Sequence, residues 1–271
     1  MSGILEGIRR RAYDLQRWIR EERVARRAVV QPAPKFILGM QKSGTSVIAG
    51  LLSLRTGVPA AVDLAREWRR STIVAASRSR RGFDRFVRRN AADFSRRIVK
   101  EPSLTFVHEH LLRRWPDSDI AIVVRDPVST IRSVLERLGL PGDLESMPTA
   151  SLEAVPQPWR LVLDNRWLGV DSEHYIDQLS RRWCLAAELA IEHRDRWQVV
   201  RYEDFSLDKV TVVDRMADHF GLPVVAEIDA FLDRPFQPRG ARRDPEAVFG
   251  DNLQRIIDST RPLARRLGYH E

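Results

Sequence analysis

Lys35 to Ser53 reads KFILGMQKSGTSVIAGLLS. Phe36, Ile37 and Leu38 form a short apolar run of the kind that a buried strand carries. Gly39 and Gly44 bracket a turn, and an apolar helix is expected from about Thr45. A strand, loop and helix in this order direct backbone N–H groups and the positive end of the helix toward an anion.

The glycine spacing is that of the nucleoside-triphosphate loop G-x-x-x-x-G-K-[ST], but Thr45 stands where that pattern has lysine. The lysine is Lys42, inside the loop. A lysine after the second glycine reaches the β- and γ-phosphates beside Mg²⁺. Within the loop it faces a shorter anionic group on the 5′ side. This points to a nucleotide with one transferable group next to its 5′-phosphate.

Around this segment, 271 residues with 43% hydrophobic content suffice for one large α/β domain. The formal charge of +8 favours anionic partners. Arginine runs at Arg9 to Arg11, Arg69-Arg70, Arg80-Arg81 and Arg88-Arg89 read as solvated helix faces. They lack the aromatic interleaving of nucleic-acid modules, so no nucleic-acid partner is expected. Cys184 is the single cysteine and sits in an apolar-periodic segment, as a core residue does. With no signal peptide and no apolar run of membrane length, a soluble cytoplasmic protein is expected.

Residues 1–34 read as a basic amphipathic helix, with Ile4, Leu5, Ile8, Tyr13, Leu15, Trp18 and Ile19 apolar, closed by Gln31-Pro32-Ala33-Pro34. It is expected to dock on the core or on a second copy, with weak association to an anionic lipid surface as the alternative. Residues 35–271 are expected to form one domain. Further strands are expected at 97–100, 119–124 and 197–202, and short helices near Val62–Arg70 and Gly82–Ser95. Longer helices are expected at 103–114, 128–138, 171–195, 207–220 and 247–267. Strand–helix alternation implies a three-layer α/β fold, a central parallel sheet flanked by helices, with ligands at the strands' carboxyl ends. Residues 139–170 are proline-rich and aperiodic, as an active-site lid is.

Four strand ends carry polar groups. They are Gln41-Lys42-Ser43-Gly44-Thr45-Ser46, Lys100-Glu101-Pro102, Arg125 to Ser133 (RDPVSTIRS), and Arg201-Tyr202-Glu203-Asp204. In this order the chain resembles the sulfotransferases that use 3′-phosphoadenosine 5′-phosphosulfate, over roughly Lys35 to Tyr202. QKSGTS is similar to that family's 5′-phosphosulfate loop. VVRDPVSTIRS is similar to its 3′-phosphate segment, which implies that Arg125 and Ser133 clamp the 3′-phosphate. RYEDF resembles the strand end after the long helix, which brings in Tyr202. KEP without a neighbouring histidine resembles the carbohydrate and protein-tyrosine branches more than the phenol and steroid type; Pro102 stands where the latter has its base histidine.

The resemblance implies an in-line sulfuryl transfer to a hydroxyl of a glycan, a glycosylated metabolite or a lipid-like acceptor. Lys42 is then expected on the leaving group and Lys100 on the transition state, with no metal required. An arginine fork suits a bidentate phosphate, and Thr45 and Ser46 offer hydroxyls to the 5′-phosphate or cap the helix. The base is left open among Glu67, Asp63 and Glu101, Glu67 being favoured. Arg239 and Gly240, in a basic irregular stretch, are expected over the 3′-phosphate. Two other classes stay open: a P-loop small-molecule kinase, with Asp126 the nearest magnesium-binding carboxylate, and a non-catalytic nucleotide- or polyanion-binding module.

Overall fold

The computed structural model describes residues 27–233 and 244–269. The proposed N-terminal helix therefore lies almost entirely outside the described residues, as do Arg239 and Gly240.

Five parallel strands form one sheet in the order β2-β3-β1-β4-β5. They are β1 Lys35–Gly39, β2 Ala60–Val62, β3 Ile98–Lys100, β4 Ile120–Val124 and β5 Gln198–Arg201. Ile37 lies in register with Lys100 on one side and with Ala121 on the other. The chain leaves β1 for the β2 edge, returns through β3, then crosses to β4. The crevice over β1 is thus where the connections diverge, the usual ligand position in such sheets.

Alternate residues feed opposite faces. Phe36, Leu38, Ile120, Ile122 and Val124 enter one core. It includes α6 (Pro127–Leu138), the long α9 (Tyr175–Glu192) and α13 (Asn252–Arg266). Ile37, Ala121, Val123 and Val200 face the other, covered by α1 (Thr45–Thr56) and α11 (Lys209–His219).

The β2–β3 connection departs from the expected helices. Val62 ends a strand, and Asp63 takes a left-handed φ of 67° while its N–H donates to the Lys100 carbonyl at 2.9 Å. The chain then turns through residues 65–69 into α2 (Ile73–Ser77), α3 (Arg80–Arg89) and α4 (Ala91–Phe94). Asn90 closes α3, and its side chain donates to the Phe86 carbonyl, so the single helix expected over Gly82–Ser95 is broken there. A 3₁₀ turn at Pro102–Val107 precedes α5 (His108–Arg114). Segment 139–170 carries α7 (Thr149–Ala154) and α8 (Gln157–Leu163), and Trp159, Val162 and Leu163 are buried in the main core. Two further α-helices among the described residues are α10 (Tyr202–Leu207) and α12 (Pro245–Phe249).

Candidate active site

The loop after β1 is held by its own polar atoms. The Gly39 N–H donates to Thr105 Oγ1 at 2.8 Å, and the Thr105 hydroxyl returns a bond to the Gly39 carbonyl at 3.0 Å. Ser43 Oγ donates to the Met40 carbonyl at 2.7 Å. Lys42 adopts φ 71° and Gly44 φ 96°, both left-handed. Glycine is required at 44, because a Cβ would lie 2.2 Å from the Tyr202 ring. Gly44 is also the N-cap of α1 and has no side chain to cap it. The first N–H groups of a twelve-residue helix thus keep their capacity for an external acceptor.

Three cations surround that helix end. Arg125, leaving β4, donates from Nη1 to the Lys42 carbonyl at 3.1 Å and lies over the Tyr202 ring, 4.7 Å from its centroid. Trp183 Nε1 holds the Arg125 carbonyl from behind at 2.8 Å. Lys100, the last residue of β3 and 3% exposed, donates to Ser46 Oγ at 2.8 Å and pairs with Asp63. Burial pulls the Lys42 ammonium below its usual range, and the nearby charges of Arg137, Arg125 and Lys100 add to this against Glu136. Lys42, Lys100 and Arg125, drawn from three strand ends, lie close together. Gln41, Thr45 and Ser46 lie on the same loop and helix end; Ser133 is half-buried on the second turn of α6.

A bound nucleotide with two anionic groups fits this donor set. Its negative charge would offset the burial and the neighbouring cations that lower Lys42, and the uncapped α1 terminus supplies N–H donors.

The three carboxylates differ. Glu67 is buried and accepts from the Thr72 N–H and hydroxyl, the latter at 3.0 Å, and from Asn90 Nδ2 at 3.1 Å, with Arg89 Nε 3.4 Å away. Glu101 caps the 3₁₀ turn through the Ser103 N–H at 2.9 Å and takes the Leu64 N–H at 3.2 Å. Burial, then the Asp63 charge, push its carboxyl up, while Lys100 opposes them. The Asp63 side chain is 22% exposed and uses Oδ1 toward Lys100.

Beside the loop opens a cleft of about 410 Å³, the solvent at its mouth included. Gln41, Glu101, Ser103 and Arg182 supply its polar lining, and Trp68, Trp159 and Trp167 its aromatic wall. Sequence reasoning missed Arg182. It is 1% exposed, stacks 3.9 Å from the Phe106 centroid, and donates to Gln41 Oε1, the Leu161 carbonyl and Asn165 Oδ1. Burial pulls its pKa down, and Glu101 opposes this. Its place on a helix face beside Trp183 reads as ordinary helix arginine, and nothing local in the sequence marks it. The histidines of α5 are structural: His108 Nδ1 lies 3.2 Å from the Thr105 carbonyl and His110 Nε2 3.2 Å from that of Ser77. Burial raises the Cys184 thiol to about 11, in keeping with a core residue.

Among the described residues no group of three His, Cys, Asp or Glu is placed to hold a metal, and no helix is long and apolar enough to cross a membrane. No curated protein matches the chain. Among solved structures the chain is similar to sulfotransferase STF1 from Mycobacterium tuberculosis H37Rv, at 15% identity and TM-score 0.54, covering 89% of this chain and 79% of that one. STF9 from Mycobacterium avium matches at 16% and 0.54, covering 93% and 80%. A sulfotransferase domain from the curacin biosynthetic pathway matches at 15% and 0.50, covering 89% and 99%. At these identities the likeness is one of fold. The sulfotransferase domain model matches residues 32–233, spanning the β1 loop, Lys100, Arg125 and Tyr202, and the chain therefore belongs to the sulfotransferase family.

Proposed function

We propose that the protein transfers a sulfuryl group from 3′-phosphoadenosine 5′-phosphosulfate to a hydroxyl of a glycan, a glycosylated metabolite or a lipid-like acceptor. The observation that carries this is the convergence of Lys42, Arg125 and Lys100 on the uncapped start of α1. The donor supplies an activated sulfuryl group. Gln41 to Ser46 would hold its 5′ side, and Arg125, Ser133 and Tyr202 its 3′-phosphate and adenosine end.

This chain's own groups divide the remaining work. Lys42 neutralises charge that gathers on the leaving side. Lys100 sits between Ser46 on the donor loop and Asp63 on the β2 end, so it serves both. The geometry favours Asp63 as the base over Glu67. The contacts described for Asp63 leave Oδ2 available for an acceptor proton, whereas both oxygens of Glu67 are engaged within the fold. A non-glycine residue held left-handed costs on the order of 1–3 kcal/mol, and such strain gathers at working positions. When Asp63 accepts a proton, its hold on Lys100 weakens, and the ammonium is freed for charge developing near Ser46. The tryptophan cleft supports an acceptor with a broad apolar face and hydroxyl edges.

For a kinase, Asp126 is the magnesium-binding candidate, but its Oδ1 caps α6 through the Ser129 N–H at 2.7 Å. Calorimetry with adenosine 3′,5′-bisphosphate and with ATP–Mg²⁺ tests the reading. Metal-independent preference for the bisphosphate, followed by mass-spectrometric gain of a sulfuryl group on hydroxylated acceptors, is expected. Preference for ATP–Mg²⁺ would overturn it.

A further inference from the structure

The charge of this chain is not spread over it. Residues 66–97, between β2 and β3, hold eleven arginines and three carboxylates, a net +8 that equals the charge of the whole chain. The other residues are neutral in sum. The same segment supplies Glu67, Trp68, Ser71 and Ile73 to the cleft.

The arginines have an order. On α3, Phe83, Phe86 and Val87 are buried, while Arg81, Arg85 and Arg88 are exposed. Their spacing of four and three residues forms one stripe, a guanidinium about every 5 Å along the axis. The C-terminal end of α3, one residue past Arg88, meets the cleft-lining Glu67. Arg89 and Asn90, at the end of α3, both reach the Glu67 carboxylate, at 3.4 and 3.1 Å. Within the cleft a further cation, Arg182, is held by neutral oxygens.

We propose that the acceptor is an acidic polysaccharide, its carboxylate or sulfate groups docked along Arg81, Arg85 and Arg88 while one sugar ring enters the tryptophan cleft. This rests on the sulfuryl-transfer reading. A regular array of planar forks suits a polymer with regularly spaced anions. A flat exposed Trp68 at the mouth, followed by Gln41, Glu101 and Arg182, suits a ring with a C–H face and hydroxyl edges. A lipid surface suits it less. Among residues 66–97, all described, Trp68 is the only large apolar side chain that is exposed, and it faces the cleft.

The test measures binding of the full chain to polygalacturonate, dextran, polyglutamate and phosphatidylglycerol vesicles at low and high salt. One variant carries R81E, R85E and R88E; a second, of equal charge change, carries R194E, R196E and R215E, all exposed elsewhere. Polygalacturonate should bind best and weaken with salt. The stripe variant should lose at least about tenfold in affinity and the second variant almost nothing. Both should bind adenosine 3′,5′-bisphosphate as the parent does, which shows that they are folded. Equal loss in both variants, no polygalacturonate binding, or tighter binding of polyglutamate or vesicles overturns the proposal. A parent chain that binds polygalacturonate but not the bisphosphate overturns the sulfuryl-transfer reading instead.

Discussion

Arg125 Nη1 donates to the backbone carbonyl of Lys42 across 3.1 Å, although 83 residues separate them. The bond ties the end of β4 to the left-handed turn of the β1 loop. It also spends one nitrogen of the fork on positioning, which leaves the opposite side for an anion. Arg125→Ala should therefore lose both a ligand contact and the set of the loop. Isothermal titration with adenosine 3′,5′-bisphosphate should show roughly 10- to 100-fold weaker binding, as for a charge-assisted bond of about 1.5–3 kcal/mol. Arg125→Lys should recover little, since an ammonium cannot both hold the carbonyl and present a fork. Unchanged affinity in Arg125→Ala would remove the donor site from this crevice.

Gly44→Ala tests the close approach of the loop to Tyr202. The new Cβ meets ring atoms at 2.2 and 2.4 Å and sits at a φ of 96°. Loop displacement should abolish bisphosphate binding, with a stability loss of about 1–3 kcal/mol by thermal melting. Adding Tyr202→Ala relieves the clash but not the backbone strain, so rescue should be partial at most. Parent-like binding by Gly44→Ala alone would mean that the loop is not held as described.

Asp63→Asn and Glu67→Gln separate a base from a brace. Asp63→Asn should reduce kcat by roughly 10²–10⁴ with bisphosphate affinity near that of the parent. Glu67→Gln disturbs the bonds to Thr72, Asn90 and Arg89. It should lower the melting temperature while keeping most of kcat. The reverse pattern would return the base to Glu67.

Lys42 predicts a pH dependence. Its folded pKa lies below the ordinary 10.5, so between the two values the unfolded chain binds more protons than the folded one. Stability of the ligand-free protein should then rise with pH through that alkaline window, and Lys42→Met should flatten the rise. Binding the bisphosphate should raise the Lys42 pKa and take up protons, visible as a buffer-dependent heat. A rise of equal size in Lys42→Met would assign it to another group.

Four of the five strands were legible from apolar runs bounded by breakers, and β4 was the clearest. β2 was not. It has three residues, two of them alanine, and pairs on one side only, with β3. Its residues carry no periodic signal, so Val62 to Arg70 read as helix. The segment 139–170 read as irregular because its helices are short and begin at prolines. The stability of α8 comes from burying Trp159 and Leu163, not from local pattern.

By itself the sequence determined the strand–loop–helix, the position of Lys42 within the loop, and the strand ends that carry Lys100 and Arg125. Those depend on glycine conformations and hydrophobic runs spanning a few residues. Tertiary structure alone decided that Lys100 takes Asp63 and not Glu67 as its partner, and that Arg182 reaches the loop from 141 residues away through Gln41. The reason is reach: a side chain's charge partner is set by which strand ends the sheet order brings together, and no local period records that order.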